Sequence, residues 1–281
     1  MTDECCLPSS VTDECCLPSS VTDECCLPCG AAAGRARDVV ATLTFPAGDL
    51  YSTAIRGGRV GLMTLRIPKI IPLFPLPDLV FFPHAYLPLH IFEPRYRAMV
   101  RDALEGDRII GMTLLRDGWE ELYYGNHAPI HPVGCAGRIT AVQSMDGGRF
   151  NITLFGLTRF TVRDQFCDAP YRQAWVEPFH EGDASCPLPP GLKNDLRGLV
   201  REFGRLIGHA SQVEVFLKRI VDEPAFLNLC CAELPFTPVE KQLFLESVNT
   251  TQQAKRLIEM LRFNVDHLAR NSASTKNVGF S

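Results

Sequence analysis

The stretch LPLHIFEPRY, residues 87–96, changes character half-way along, and that change decides how the chain is built. Tyr86–Ile91 is a short apolar run punctuated by Pro88, which suits a strand near a turn or edge, because proline has no N–H to give to a ladder. From Glu93 the spacing switches. Tyr96, Met99, Val100 and Ala103–Leu104 recur at three and four residues, which predicts a helix with Pro94 in its first turn and Gly106 as its stop. Strand runs lie on both sides of this junction. Ile70–Phe74 and Leu79–Phe82 precede it. Arg108–Leu115, Gly134–Gln143, Phe150–Phe155, Leu157–Asp164 and Tyr171–Phe179 follow, and Met145-Asp146-Gly147-Gly148 predicts a hairpin turn. About seven strands with one inserted helix point to a small, mostly antiparallel barrel or folded sheet.

His180–Pro190, rich in Gly, Pro, Asp and Ser, reads as a linker. Beyond it the pattern is helical: Leu192–Gly208, Val213–Val221, Pro224–Leu234, Pro238–Val248 and Gln252–His267, with Pro224 and Pro238 at first turns. Such short amphipathic helices form a compact bundle. The expected class is α+β, with a β domain over 63–180, a linker over 181–190, a helical bundle over 191–270 and a disordered tail over 271–281.

The chain has 281 residues, net charge −4, and no apolar run long enough to span a bilayer. Residues 1–62 hold eight acids and four arginines, so residues 63–281 are balanced at 24 of each sign, which argues against nucleic acid and anionic membranes. The first thirty residues repeat a decamer, MTDECCLPSS, VTDECCLPSS and VTDECCLPCG. Adjacent cysteines diverge and chelate poorly; only Cys26 and Cys29 have metal-ligand spacing. No export signal is visible to accompany a disulfide framework. Near-identity of the copies, with Met1 where the others have Val11 and Val21, suggests an upstream DNA repeat translated in frame. The expectation is a disordered extension over 1–62, with weak strand character at Val39–Phe45, and a working protein that begins near Met63. No cofactor is expected, and the body reads as cytoplasmic.

No catalytic constellation is visible. There is no Gly-Lys dipeptide for a P-loop, no GxSxG and no HExxH. His127 and His131 are separated by Pro129, which excludes a shared helical face, and Cys230–Cys231 lies among Phe226, Leu227, Leu229 and Leu234 as core. The most distinctive group is Phe92-Glu93-Pro94-Arg95-Tyr96. Its reading is structural: Glu93 accepts backbone N–H bonds at the helix start, Arg95 tethers a neighbouring carboxylate or carbonyl, and Tyr96 packs into the core.

Ile71-Pro72-Leu73-Phe74-Pro75-Leu76, Val80-Phe81-Phe82-Pro83 and Leu87 through Tyr96 together resemble the N-terminal substrate-binding domain of the ATP-dependent protease Lon. The resemblance continues through Gly134–Ile139, Phe150–Phe160, Tyr171, Ala174–Pro178 and Lys241–Glu246, covering about residues 67–265. It implies a pseudo-barrel related to the PUA fold followed by a helical bundle. It also implies a stand-alone protein without the ATPase and Ser-Lys protease modules, for which "peptidase S16" would describe ancestry rather than activity. The function it implies is non-catalytic binding of unfolded or client polypeptides, as a recognition module or as an adaptor for a protease or chaperone. It sets no oligomeric state. Exposed apolar surface would carry that binding, with Phe81, Phe82, Tyr123 and Tyr124 as its candidates. RNA binding by a PUA-like barrel is the alternative and requires a basic patch; an unrecognised hydrolase is the remote one.

Overall fold

Proline and glycine punctuate the strands of the computed structural model, which describes residues 67–123, 127–179, 188–220 and 222–277. The cysteine repeats, Val39–Phe45, Met63, Tyr124 and most of the linker lie outside them. The β part contains β1 (Ile70–Leu76), β2 (Tyr86–Ile91), α1 (Pro94–Glu105), β3 (Ile109–Leu114), β4 (Val133–Met145), β5 (Arg149–Phe166) and β6 (Gln173–Pro178). The sheet order is β2-β5-β4-β3-β1-β6, and β6 also pairs back onto β5. Five strands thereby close into a ring, with β2 appended to the first half of β5. All pairings are antiparallel except β1 with β3.

Two expectations are corrected. Leu157–Asp164 is not a separate strand but continues β5, which pairs in turn with β2, β4 and β6. Register shifts beside Gly137 and Val162 bend it from the appended flap into the ring without breaking it. Leu79–Phe82 is a loop. Val80, Phe81 and Phe82 are buried without joining any strand ladder, so the apolar run serves the core from a loop.

Every strand of the ring contributes to one small cluster, including Ile71, Leu73, Ile109, Ala136, Phe160 and Val176, so this cluster fills the lumen. Phe160 is fully buried there, and its Cζ leaves no room for side chains at Gly111 and Gly134. The larger core lies on the other face, under α1 and the bundle. The β4–β5 turn bears out the hairpin reading, with Gly147 at φ 73° and Gly148 at φ 70°.

The bundle comprises α2 (Pro190–Leu206), α3 (Ala210–Arg219), α4 (Glu223–Glu233), α5 (Pro238–Leu245) and α6 (Thr250–Asn277). The last runs past residue 270, where the sequence reading had ended the bundle. Asp222 caps α4 by accepting from the Ala225 N–H at 3.0 Å. Thr237 and Glu240 form a capping box on α5, with the Thr237 N–H donating to Glu240 at 2.7 Å. The residues Leu245–Ser247 dock onto the barrel. Buried Arg159 donates to the Leu245 carbonyl at 2.8 Å and to the Ser247 carbonyl. Gln242 donates to the Val133 carbonyl at 3.0 Å, and His131 meets Glu246 at 3.2 Å. His131 is therefore a docking contact rather than a loop residue facing only water. Cys230 and Cys231 are core, as expected.

Candidate functional site

The strand-to-helix junction brings together residues from two distant segments. Glu93 stands at the N-cap of α1 in extended conformation but makes no side-chain cap bond. That part of the sequence reading is corrected. The Glu93 carboxylate instead accepts from Arg95 Nε at 3.0 Å and from the Tyr123 hydroxyl at 3.2 Å. A guanidinium in the first turn points back toward the helix start and offers a charge-assisted bond, which outcompetes a backbone amide. Arg95 also donates to the Tyr123 carbonyl at 2.8 Å. Its guanidinium lies 4.5 Å from the Tyr96 ring centre and 4.4 Å from that of Tyr123, a cation held between two aromatic faces. Tyr96 is buried against Phe74, with ring centres 4.2 Å apart, and burial pushes its hydroxyl far above the ordinary value. Trp119 meets the edge of Tyr123 at 5.4 Å.

This cluster is a fastener. It pins the segment Trp119–Tyr123 to the start of α1 through the bonds that Arg95 and Glu93 make to Tyr123. Arg95→Lys is expected to lose about 1–2 kcal/mol of stability, because an ammonium cannot reproduce the fork or the double stacking. Urea denaturation, with Trp119 fluorescence read alongside, checks this; an unchanged midpoint would refute the fastening role.

Of the four apolar candidates for a binding surface, Phe81 and Phe82 are buried at 4% and 0% exposure. They plug the main core from a loop and present no surface, which corrects the expectation. Tyr123 is half-buried over Arg95. Tyr124 lies outside the described residues.

Exposed aromatic surface does occur, one residue before the fastener. Phe92 is 55% exposed and stacks on His90, with ring centres 6.1 Å apart. Cross-strand partners share a sheet face, so the register places His90, Asn151 and Gln143 in one row, Pro88, Thr153 and Ala141 in the next, and Tyr86, Phe155 and Arg138 in a third. His90 bonds Asn151 at 2.7 Å, Asn151 donates to Gln143 at 3.4 Å, and Tyr86 contacts Phe155 at 4.9 Å between ring centres. The opposite face, with Leu89, Ile91, Ile152 and Leu154, is packed into the main core. This face remains at least partly open across all three strands. Sequence reading missed it, although the alternation of Leu87, Leu89 and Ile91 with Pro88 and His90 was available as a sign of a two-faced strand.

Edge geometry limits how the face can be used. Gly156 donates to the Ala85 carbonyl at 2.9 Å, so the odd-numbered residues of β2 turn their backbone toward β5 and the even-numbered ones turn theirs outward. Pro88, at the middle of that outward set, removes the central donor. An added strand would lose a ladder bond there, which favours recognition across the face over edge pairing.

Comparison with known proteins settles the family. The model of the ATP-dependent protease La (LON) substrate-binding domain matches residues 70–262. The chain belongs to the Lon substrate-binding domain family. Lon protease 2 of Myxococcus xanthus is 29% identical over 197 residues, which is 69% of this chain and 24% of that protein. The Lon protease of Anaeromyxobacter dehalogenans is 27% identical over 197 residues, 69% of this chain and 23% of its own length. The chain thus spans about a quarter of the Lon proteases it matches. A Lon N-terminal domain protein from Xanthomonas campestris shares the fold, with a TM-score of 0.51 at 21% identity over 68% of this chain and 98% of that one.

Within this Lon substrate-binding domain the described residues contain no group of three or more His, Cys, Asp or Glu side chains arranged to hold a metal. Burial pushes the thiols of Cys135 and Cys230 up beyond any nucleophilic range and that of Cys231 to about 12. Tyr171, also raised to about 12 by burial and then by its bond to Asp102 at 2.7 Å, stays a donor. Among the described residues no helix is long and apolar enough to cross a membrane.

Proposed function

We propose that this Lon-type domain is a non-catalytic, cytoplasmic polypeptide-binding module that holds unfolded or client segments, acting as an adaptor for a protease or chaperone. The observation that carries the reading is the open β2–β5–β4 face, where Phe92, His90, Tyr86 and Phe155 share one surface with the amides of Asn151 and Gln143. Rigid aromatic rings beside adaptable amide groups suit varied polypeptide sequences, since rings supply contact area at low entropy cost and amides bond any backbone. We place the helical unit from Pro190 through the end of α6 at Asn277, with the β unit before it. The RNA alternative finds less support on this face: of the side chains named, Arg138 alone carries a full charge, whereas phosphate binding needs a basic track.

Phe92→Ser is expected to weaken binding of a labelled, permanently unfolded model protein about tenfold, or ~1.4 kcal/mol, without changing the melting temperature. Phe92 is exposed, so its removal leaves no cavity. Fluorescence anisotropy of the full chain measures this. Absence of binding by the unaltered protein, or equal affinity of the variant, would sink the proposal.

A further inference from the structure

The strands of the open face carry charge of one sign. β2, β4 and the first half of β5, residues 149–155, contain no Asp or Glu, although residues 63–281 hold 24 acids. They do contain two arginines, and the register sets both on the open face. Arg138 pairs with Phe155, and Arg149 pairs with Met145, one row beyond His90, Asn151 and Gln143. Both arginines are exposed, so a ligand has access to them. Arg149 is steadied by the bond from its Nε to the Asp146 carbonyl at 3.1 Å. The acids next in sequence after β2 and β4 are Glu93 and Asp146. Glu93 is engaged by Arg95 and Tyr123, and Asp146 stands in the hairpin turn, at the Arg149 end only.

Strand residues advance by about 3.3 Å, so the Arg149 row and the Arg138–Phe155 row stand about 20 Å apart along β5. The rows of Asn151 and Thr153 lie between them. An extended segment laid along the strands bridges that span with about seven residues, and its inward side chains recur at the same two-residue interval as the rows. We infer that this face selects acidic segments of unfolded polypeptide. Carboxylates turn toward Arg138 and Arg149, and apolar side chains rest on the rings between them. The inference rests on the polypeptide reading and adds the charge class of its substrate. A nucleic-acid strand matches the face less well, because its charges recur about every 3.4 Å along a duplex strand and call for a denser basic track.

The test uses the full chain and three labelled, unstructured peptides with the same aromatic and aliphatic residues, whose remaining positions are all Glu, all Gln or all Lys. Fluorescence anisotropy at low salt is expected to rank them Glu, Gln, Lys, with the Glu peptide bound about fivefold more tightly than the Gln peptide. Raising the salt to about 0.5 M should shrink that ratio below about twofold. The double variant Arg138→Gln, Arg149→Gln should shrink it equally at low salt, with the melting temperature unchanged because both side chains are exposed. A Glu peptide bound no better than the Gln peptide overturns the inference and leaves the polypeptide reading standing. Failure of all three to bind removes both. An undiminished ratio in the double variant also overturns the inference, as does tighter binding of a single-stranded oligouridylate than of the Glu peptide. If the double variant does not fold, the ranking and its salt dependence in the unaltered protein decide alone.

Discussion

Gly156→Ala is expected to destabilise this domain by about 3 kcal/mol or more, a large share of the ~5–15 kcal/mol that holds a typical domain together. A Cβ at position 156 would drive into the Phe82 carbonyl oxygen and stand 3.1 Å from the Pro83 Cα. The obstacle is backbone, so no rotamer change relieves it. Nor can the backbone retreat. Gly156 donates to Ala85 at 2.9 Å and accepts from His84 at 2.8 Å, lacing β5 to the loop whose Phe81 and Phe82 plug the core. The predicted loss corresponds to a fall in melting temperature of about 6–12 °C. Gly198→Ala is the matched control. That glycine is exposed within α2 with nothing within 4 Å of a Cβ, and alanine there should gain about 0.5–1 kcal/mol. Urea midpoints of the two variants should move in opposite directions; a Gly156 variant as stable as the unaltered chain would refute the argument.

Arg159→Ala, three residues on, is expected to cost about 3 kcal/mol by a different route. Its guanidinium is nearly fully buried, lies 4.3 Å from the centre of the Phe179 ring, and donates to the Leu245 and Ser247 carbonyls at the end of α5. Those carbonyls have no further helical turn to satisfy them and carry the negative end of the helix dipole. Deleting the donor leaves them buried without it, at roughly 1.5–3 kcal/mol for each bond to a charged group. Losses of this kind appear first where the contact was made. Hydrogen exchange should therefore show α5 and the start of α6 losing protection ahead of the barrel. Arg159→Lys should recover less than half of the loss, since one ammonium cannot span two carbonyls as the planar fork does. Uniform exchange in the alanine variant would mean that Arg159 is not what holds the bundle to the barrel.

Much of this organisation was legible in the residues. The switch at Glu93–Pro94 announced a strand-to-helix junction, and α1 spans Pro94–Glu105 with Gly106 after it. Met145-Asp146-Gly147-Gly148 announced a hairpin because its glycines tolerate positive φ, and the five later helices fell where apolar spacing placed them. The family was legible too, carried by an ordered set of motifs matching residues 70–262. Local chemistry is enough for such readings: a turn, a cap or a 3.6-residue period depends on neighbours along the chain.

The rest depended on which distant groups meet. An apolar run such as Leu79–Phe82 reads the same whether it forms a strand, a binding surface or a plug, and only the close approach of Gly156 made it a plug. Glu93 looked like a cap until Arg95 and Tyr123, the latter 30 residues away, claimed its carboxylate. The open face of His90, Asn151 and Gln143 exists only through strand register, and register is set by turns and bulges rather than by any one strand's residues. Arg172 was one arginine among 22 until folding buried it against neutral acceptors, the Ala128 carbonyl and the Gln165 side chain. The sequence by itself determined the elements and the family, because these follow from short-range geometry. The tertiary structure alone decided which polar groups are spent on one another and which side chains stay exposed, because burial and pairing are properties of the assembled fold.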